Sequence, residues 1–217
     1  MHSIIFAGGT VRPGKAVTEA LETAELIIAA DSGASTARQY GYQPALIVGD
    51  MDSLQEPLQS FLDEGSQFSG ANVEKDETDT ELAIQSALAM GASRITLLGA
   101  LGGERIEHEI ANIFLLADFL SVPICIVDGP SRCWLVQGPG RSTIRGQKGD
   151  YLSLFPVTID ARGIETQGLY YPLQGGTLRF GKARGVSNVL TEQQAEISLE
   201  QGVLLVVHTA KEELKIL

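Results

Sequence analysis

From residue 1 to about residue 130, short runs of almost wholly apolar, β-rich residues alternate with segments of helical periodicity. Runs so brief and so uniformly apolar do not suit strands with one wet face; they suit strands covered on both faces. The pattern predicts strands over Ser3–Ala7, Leu26–Ala30, Leu46–Val48, Ile95–Leu98 and Ile124–Val127, with a weaker one over Gln67–Val73. Helices are predicted near Ala16–Thr23, Ser35–Tyr40, Pro57–Asp63, Thr78–Met90 and Ile106–Leu120. Such alternation argues for α/β architecture, a mostly parallel sheet with flanking helices.

After Asp128-Gly129-Pro130 the grammar changes. The remainder reads as short strands (CWLVQ, STIRG, YLSLF, LYYPL, TLRF, AEISL, VLLVVH) separated by glycine and proline, with no long amphipathic helix. That predicts a small all-β sandwich or barrel. A chain of 217 residues accommodates two such domains, 1–130 and 131–217, each able to bury a core. Trp134, Tyr170 and Tyr171 are expected to pack the β domain rather than stack on a ligand.

Composition narrows the partners. Hydrophobic residues make up 44% and charged residues 20%, ordinary for a globular chain and unlike a disordered or low-complexity one. With 16 Lys and Arg against 27 Asp and Glu, the net charge of −11 offers no general attraction to nucleic acid or anionic membrane. A polyanion would have to be held locally, by backbone N–H groups, a few cations or a divalent metal. Cys125 and Cys133 form neither a metal-ligand pattern nor a disulfide framework, and Cys125 lies in an apolar run that suits a buried thiol. The opening MHSIIFAGGTVRPG is too briefly apolar for a signal peptide, so a cytoplasmic protein is expected.

In open α/β sheets, ligands bind beyond the carboxyl ends of the strands. One predicted strand there delivers Asp31, a second delivers Asp50 and Asp52, and a third runs into Gly102-Gly103. Asp50 and Asp52, two apart, point to one side of an extended chain. Their mutual repulsion is relieved by a shared cation, and hard carboxylate oxygens suit Mg²⁺. In VEKDETDTELAI, Asp76 and Asp79 have the spacing of a helix-capping box. Lys75 beside them, with the other carboxylates, also fits a polyphosphate site. In GALGGERIEHEIAN the glycines permit close backbone approach. Ile106, Ile110, Ile113 and Ala117 fall on one helical stripe, and Arg105, His108 and Asn112 on another. FAGGTVRPG lacks the Rossmann spacing, and no Walker-type loop occurs.

Together, DSGAS at Asp31, GDMDSL at Asp50, KDETDTELA at Lys75 and GALGGERIEHEIAN at Gly99 resemble thiamine pyrophosphokinase (thiamine diphosphokinase). YLSLFPV, TQGLYYPL and GVSNVL resemble the family's C-terminal segments, so the likeness spans nearly the whole chain. It implies an α/β nucleotide-binding domain followed by a β-sandwich, in a homodimer with active sites at the subunit interface. It implies Mg²⁺-dependent transfer of pyrophosphate from ATP to the thiamine hydroxyl, releasing AMP. On these residues it makes Asp50, Asp52 and Asp76 the metal- and phosphate-organising carboxylates, with Asp79 orienting substrate or assisting the hydroxyl. Asp31, Gly33, Lys75, Gly102, Gly103, Arg105 and His108 serve ATP and its phosphates; Ser187 and Asn188, with Asp79, serve thiamine.

The chain departs from the family pattern in the extra residue Glu104, in Glu107 where aspartate is usual, and in lacking a tryptophan near VLLVVH. Transfer to another hydroxymethyl heterocycle such as a pterin, or non-catalytic sensing of thiamine or nucleotide, are the alternative readings.

Overall fold

A computed structural model describes residues 1–50, 54, 56–70 and 76–211, which form two compact units, Met1–Gly129 and Pro130–Leu217. Asp52 and Lys75 lie outside the described residues.

The first unit runs β1 (His2–Phe6), α1 (Lys15–Glu22), β2 (Leu26–Ala30), α2 (Gly33–Gln39), β3 (Leu46–Gly49) and α3 (Leu58–Asp63). It continues β4 (Gln67–Gly70), α4 (Asp79–Ala89), β5 (Arg94–Leu98), α5 (Ile106–Leu115) and β6 (Ile124–Asp128). All six strands are parallel, in the order β6-β5-β1-β2-β3-β4. β1 and β2 are buried at every residue, which is why their sequences show no alternation. Ile4, Phe6, Ile27, Ala29 and Ile47 join Val17 and Leu21 of α1 and Ala34 and Ala37 of α2 in one core. Arg38 ties α2 to α3: its guanidinium lies 3.7 Å from the Phe61 ring centroid and donates to Glu56, Ser60 and Glu64.

The amino ends of these strands hold a buried histidine. His2 Nδ1 sits 3.0 Å from Thr23 Oγ1 and 2.8 Å from Arg94 Nη2, and Nε2 lies 2.9 Å from Thr96 Oγ1. Burial, aided by the neighbouring Arg94 charge, holds the imidazole pKa below its ordinary value, although the Thr23 carbonyl works the other way. A lowered folded-state pKa means that the unfolded chain takes up the proton first. Stability is therefore fully present above the unfolded value of about 6.5 and declines as pH falls toward the folded value. Urea unfolding at pH 7.5 and pH 5.5 should show the midpoint falling in acid, with a smaller fall in His2→Gln.

The second unit contains β7 (Ser131–Gln137), β8 (Gly140–Arg145), β9 (Tyr151–Pro156), β10 (Asp160–Gln167), β11 (Gly176–Arg179), β12 (Asn188–Val189), β13 (Gln194–Leu199) and β14 (Val203–Thr209). Antiparallel pairing gives the order β12-β9-β14-β7 in one sheet and β11-β10-β13-β8 in the other. Leu152, Leu154, Leu204 and Val206 from the first pack with Ile144, Ile164, Ala195 and Ile197 from the second, the shared core of a β-sandwich.

Three expectations are corrected. The last helix of the first unit ends at Leu115 rather than Leu120. Its expected stripe does not enter the core: Ile106 is 70% exposed and Ile110 46%, Ile113 is half-buried, and Ala117 is exposed beyond the helix end, while Asn112 is buried. Periodicity identifies a stripe but does not say what covers it. Tyr170 and Tyr171 do not pack the sandwich either. Each is 65% exposed, the two rings standing edge to face at 4.8 Å, because aliphatic side chains fill the interior.

Candidate active site

Strand order in the first unit reverses between β1 and β5, with β2 to β4 on one side and β6 on the other. Loops leaving adjacent carboxyl ends diverge at such a point and leave a crevice. Here the two loops are fastened to each other by their backbones. Ala7 N–H donates to Leu98 O at 2.8 Å, Gly9 N–H to Gly99 O at 2.8 Å, and Thr10 N–H to Gly102 O at 3.3 Å. Only glycine allows this approach. A Cβ on Gly9 would lie 2.5 Å from Gly99 O, and one on Gly99, at φ +69°, would lie 2.6 Å from Gly9 O.

Side chains of α5 hold the far part of the cradle. Asn112, buried, donates from Nδ2 to Ala100 O at 2.8 Å, and Glu109 Oε1 accepts from Gly102 N–H at 3.0 Å. Gly103 is exposed. At the edge of the same region Arg12 donates to the buried Asp128 carboxylate at the end of β6, through Nε at 2.9 and 3.0 Å and through Nη2. This pair holds the Arg12 pKa above its ordinary value, chiefly through the hydrogen bond. Glu109 and Asp128 are supports that sequence reading missed; the signal for Asp128 was its place at the carboxyl end of an apolar run.

Asp31 follows β2 with φ +46°, a left-handed conformation rare outside glycine and most tolerated by Asp and Asn. It is fixed by its N–H to Val48 O at 2.9 Å and its carbonyl to Ala34 N at 3.0 Å. Ser32 Oγ reaches Gly8 O at 3.4 Å, tying this turn to the loop after β1. Non-glycine residues held there concentrate at functional sites, where surrounding structure offsets the strain. Gly33 is buried, and its backbone passes against the Phe6 carbonyl, so its requirement is steric.

Asp50 follows β3 and is half-buried. Since α4 follows β4 and leads back to the parallel β5, its amino end starts from the carboxyl edge of the sheet. There Asp76 is exposed and Asp79, the first residue of α4, half-buried. The capping-box reading is corrected: the cap is Thr78, whose Oγ1 accepts from Glu81 N–H at 3.2 Å. Asp76 is not needed to start the helix. Asp79 in the first turn is favoured by the positive helix end. Among the described residues no three His, Cys, Asp or Glu side chains converge as a metal cage.

Of the polar row, Arg105 precedes α5 in extended conformation, whereas His108 and Asn112 lie one turn apart within the helix; His108 is exposed and Asn112 buried. Arg105 Nε donates to Glu107 Oε1 at 2.7 Å, both side chains being more than 60% exposed, and this bond lowers the Glu107 pKa.

In the second unit Ser187 also has positive φ, +60°, with its N–H donating to Ser153 Oγ at 3.0 Å. Asn188 is turned toward its own sandwich. Its Oδ1 accepts from Tyr171 N–H at 3.0 Å and Val189 N–H at 2.9 Å, while Nδ2 donates to Tyr171 O at 2.7 Å. In this arrangement its amide shapes the Tyr171 turn.

A parallel open sheet with carboxylates and a glycine cradle along its carboxyl edge, followed by an antiparallel sandwich, defines a two-unit α/β-plus-β protein with an acidic strand-end edge. Residues 17–127 match the family model described as thiamin pyrophosphokinase, catalytic domain, and residues 141–204 match thiamin pyrophosphokinase, vitamin B1 binding domain. The chain belongs to the thiamine pyrophosphokinase family. It is 27% identical to the thiamine pyrophosphokinase of Bacillus subtilis over 209 residues, covering 94% of this chain and 97% of the relative. Thiamine pyrophosphokinase 1 of Arabidopsis thaliana is 27% identical over 185 residues, 81% of this chain and 69% of that one. The crystal structure of the Bacillus subtilis enzyme superposes with a TM-score of 0.84, covering 97% of this chain and 100% of that chain. That of thiamin pyrophosphokinase from Geobacillus thermodenitrificans gives 0.82 at 27% identity, covering 97% and 98%.

Proposed function

We propose that this chain is a cytoplasmic thiamine diphosphokinase that transfers pyrophosphate from ATP to the hydroxyethyl oxygen of thiamine, giving thiamine diphosphate and AMP. The observation carrying this reading is the edge itself: Asp31, Asp50 and the Gly9–Gly99 cradle leave four adjacent parallel strands, β3, β2, β1 and β5, at the switch point. The first unit is then the catalytic domain and the second the thiamine-binding domain.

The donors suit a hard divalent cation. Asp50 and Asp76 offer carboxylate oxygens near the strand ends, and Asp52 would complete the set of Mg²⁺ ligands. When bound, Mg²⁺ supplies neutralisation of the triphosphate charge. The protein's own residues supply position. Gly102, Gly103, Arg105 and His108, with Asp31, would line the nucleotide side; Ser187 and Asn188 would define the thiamine side. Asp79 orients the hydroxyl. As its oxygen bonds to the β-phosphorus, the bond to the α-phosphate oxygen breaks, AMP departs, and the hydroxyl proton passes to Asp79 or to water. Such transfers depend mainly on alignment and electrostatics, which a rigid edge of this kind provides.

We also read the active protein as a homodimer with sites at the subunit interface. The Ile106, Ile110 and Phe114 stripe supports it, since exposed apolar side chains at one-turn spacing form the kind of face that a second copy covers. Ile110→Lys should shift sedimentation toward the monomer; an unchanged dimer would remove this stripe from the interface.

The test incubates the protein with ATP, Mg²⁺ and thiamine and resolves the products chromatographically. AMP and thiamine diphosphate in equal amounts are expected. ADP with thiamine monophosphate would overturn the transfer chemistry, and no product from folded protein would overturn the assignment. Asn112→Ala removes the donor to Ala100 O and leaves that acceptor unsatisfied, a stability cost of about 1–3 kcal/mol; the loosened Gly99–Gly103 loop should raise KM for ATP severalfold. KM for thiamine should change little.

A further inference from the structure

One buried ionisable pair takes no part in the chemistry above. Asp150, between β8 and β9, is 4% exposed, and His208 near the end of β14 is 6% exposed. His208 Nε2 lies 2.9 Å from Asp150 Oδ2. The same oxygen accepts from Gln147 N–H at 2.8 Å, and Oδ1 accepts from Lys211 N–H at 3.1 Å. Burial opposes charge on this carboxyl, but the Gln147, Lys211 and His208 donors outweigh it and hold the pKa below the usual carboxylate range. The enclosure is tight: a Cβ on Gly146 would meet Asp150 Oδ2 at 2.5 Å and His208 Nε2 at 2.8 Å.

The backbone around this pair leads to the thiamine-side residues. Asp150 O accepts from Leu190 N–H at 2.9 Å, and Gly149 N–H donates to Leu190 O at 2.9 Å. Leu190 directly follows the short β12, in which Val189 pairs with Tyr151 and Asn188 with Leu152. One residue earlier Ser187 is held in its left-handed conformation by Ser153, and Asn188 grips Tyr171 on both sides of its peptide. A two-residue strand has little pairing of its own to fix its place. The carboxylate that organises the 147–150 turn therefore sets where β12 begins to pair.

We infer that Asp150 and His208 are positioning residues, a buried brace that sets Ser187, Asn188 and the Tyr171 turn for thiamine. This rests on the thiamine reading proposed above. The pair touches no substrate and acts only through β12.

Asp150→Asn keeps the volume and an oxygen for Lys211, but places a donor or a weaker acceptor toward Gln147 N–H and His208. It should raise KM for thiamine about tenfold or more, with kcat and KM for ATP within twofold of the parent. His208→Gln restores an N–H donor toward Asp150 and should stay near the parent, whereas His208→Ala should behave as Asp150→Asn. Equal rises in both KM values, a fall in kcat alone, or no change in Asp150→Asn would overturn the brace. Amide hydrogen exchange separates this from failure of the functional reading. If the parent protein does not turn over thiamine, the assignment fails, and faster exchange in Asp150→Asn confined to Gln147, residues 187–190 and Lys211 would still establish the brace. Uniformly faster or unaltered exchange would refute it.

Discussion

Asp50→Asn should lower kcat by about 10²–10³-fold, the usual effect of deleting one preorganised electrostatic partner of a developing charge, while the protein stays folded. Asp50 stands directly after β3, paired with β2 through Val48 and with β4 through Gly49, so its Cα has little freedom to move. Asparagine preserves size and one oxygen but removes the negative charge that draws a divalent cation to this edge. The loss should therefore fall on turnover and on the Mg²⁺ concentration needed for it, not on KM for thiamine. AMP release followed across a Mg²⁺ titration, with circular dichroism as the fold control, measures this. A variant that regains parental turnover at saturating Mg²⁺ would remove Asp50 from the catalytic set.

Much of this edge was legible because buried parallel strands write themselves as uninterrupted apolar runs, and whatever polar residue ends such a run stands at the carboxyl edge. Asp31 and Asp50 were found that way. The glycine cradle was half legible: Gly102-Gly103 stood out, but that Gly9 and Gly99 cross within contact follows from strand order, which no local pattern encodes. The same limit explains α5. Its heptad-like stripe and its polar row are both real in sequence, yet Asn112's bond to Ala100 rather than hydrophobicity decides which side faces inward. Capping misled for a related reason. Thr78 and Asp76 are both competent caps, and the choice depends on where the chain enters α4. Asn188 stands out in sequence only through GVSNVL, and the bonds of its amide to Tyr171 are visible only in the folded sandwich.

Gly33→Ala should cost about 3 kcal/mol or more, at or above the upper end of what overpacking a well-packed interior costs. A Cβ there would overlap the Phe6 carbonyl oxygen, lie 2.6 Å from the carbonyl carbon and 3.0 Å from Ala7 O. Neither side yields easily. Phe6 belongs to β1, hydrogen-bonded to β2 on one flank and β5 on the other, and α2 is pinned through Arg38 to α3. Gly41→Ala makes the control: its φ of +83° is strained for alanine, but nothing lies within 4 Å, so about 1–2 kcal/mol is expected. For a chain of this length each kcal/mol moves the thermal midpoint by about 2–4 °C, so the two variants should separate by several degrees. Equal midpoints would mean that α2 slides over β1 without penalty. Because Asp31 hangs on the same turn, its carbonyl bonded to Ala34 N–H, the shift that relieves Gly33→Ala also moves that carboxylate. Activity should then fall even below the unfolding range, whereas Gly41→Ala, at the opposite end of α2, should lose stability without losing turnover.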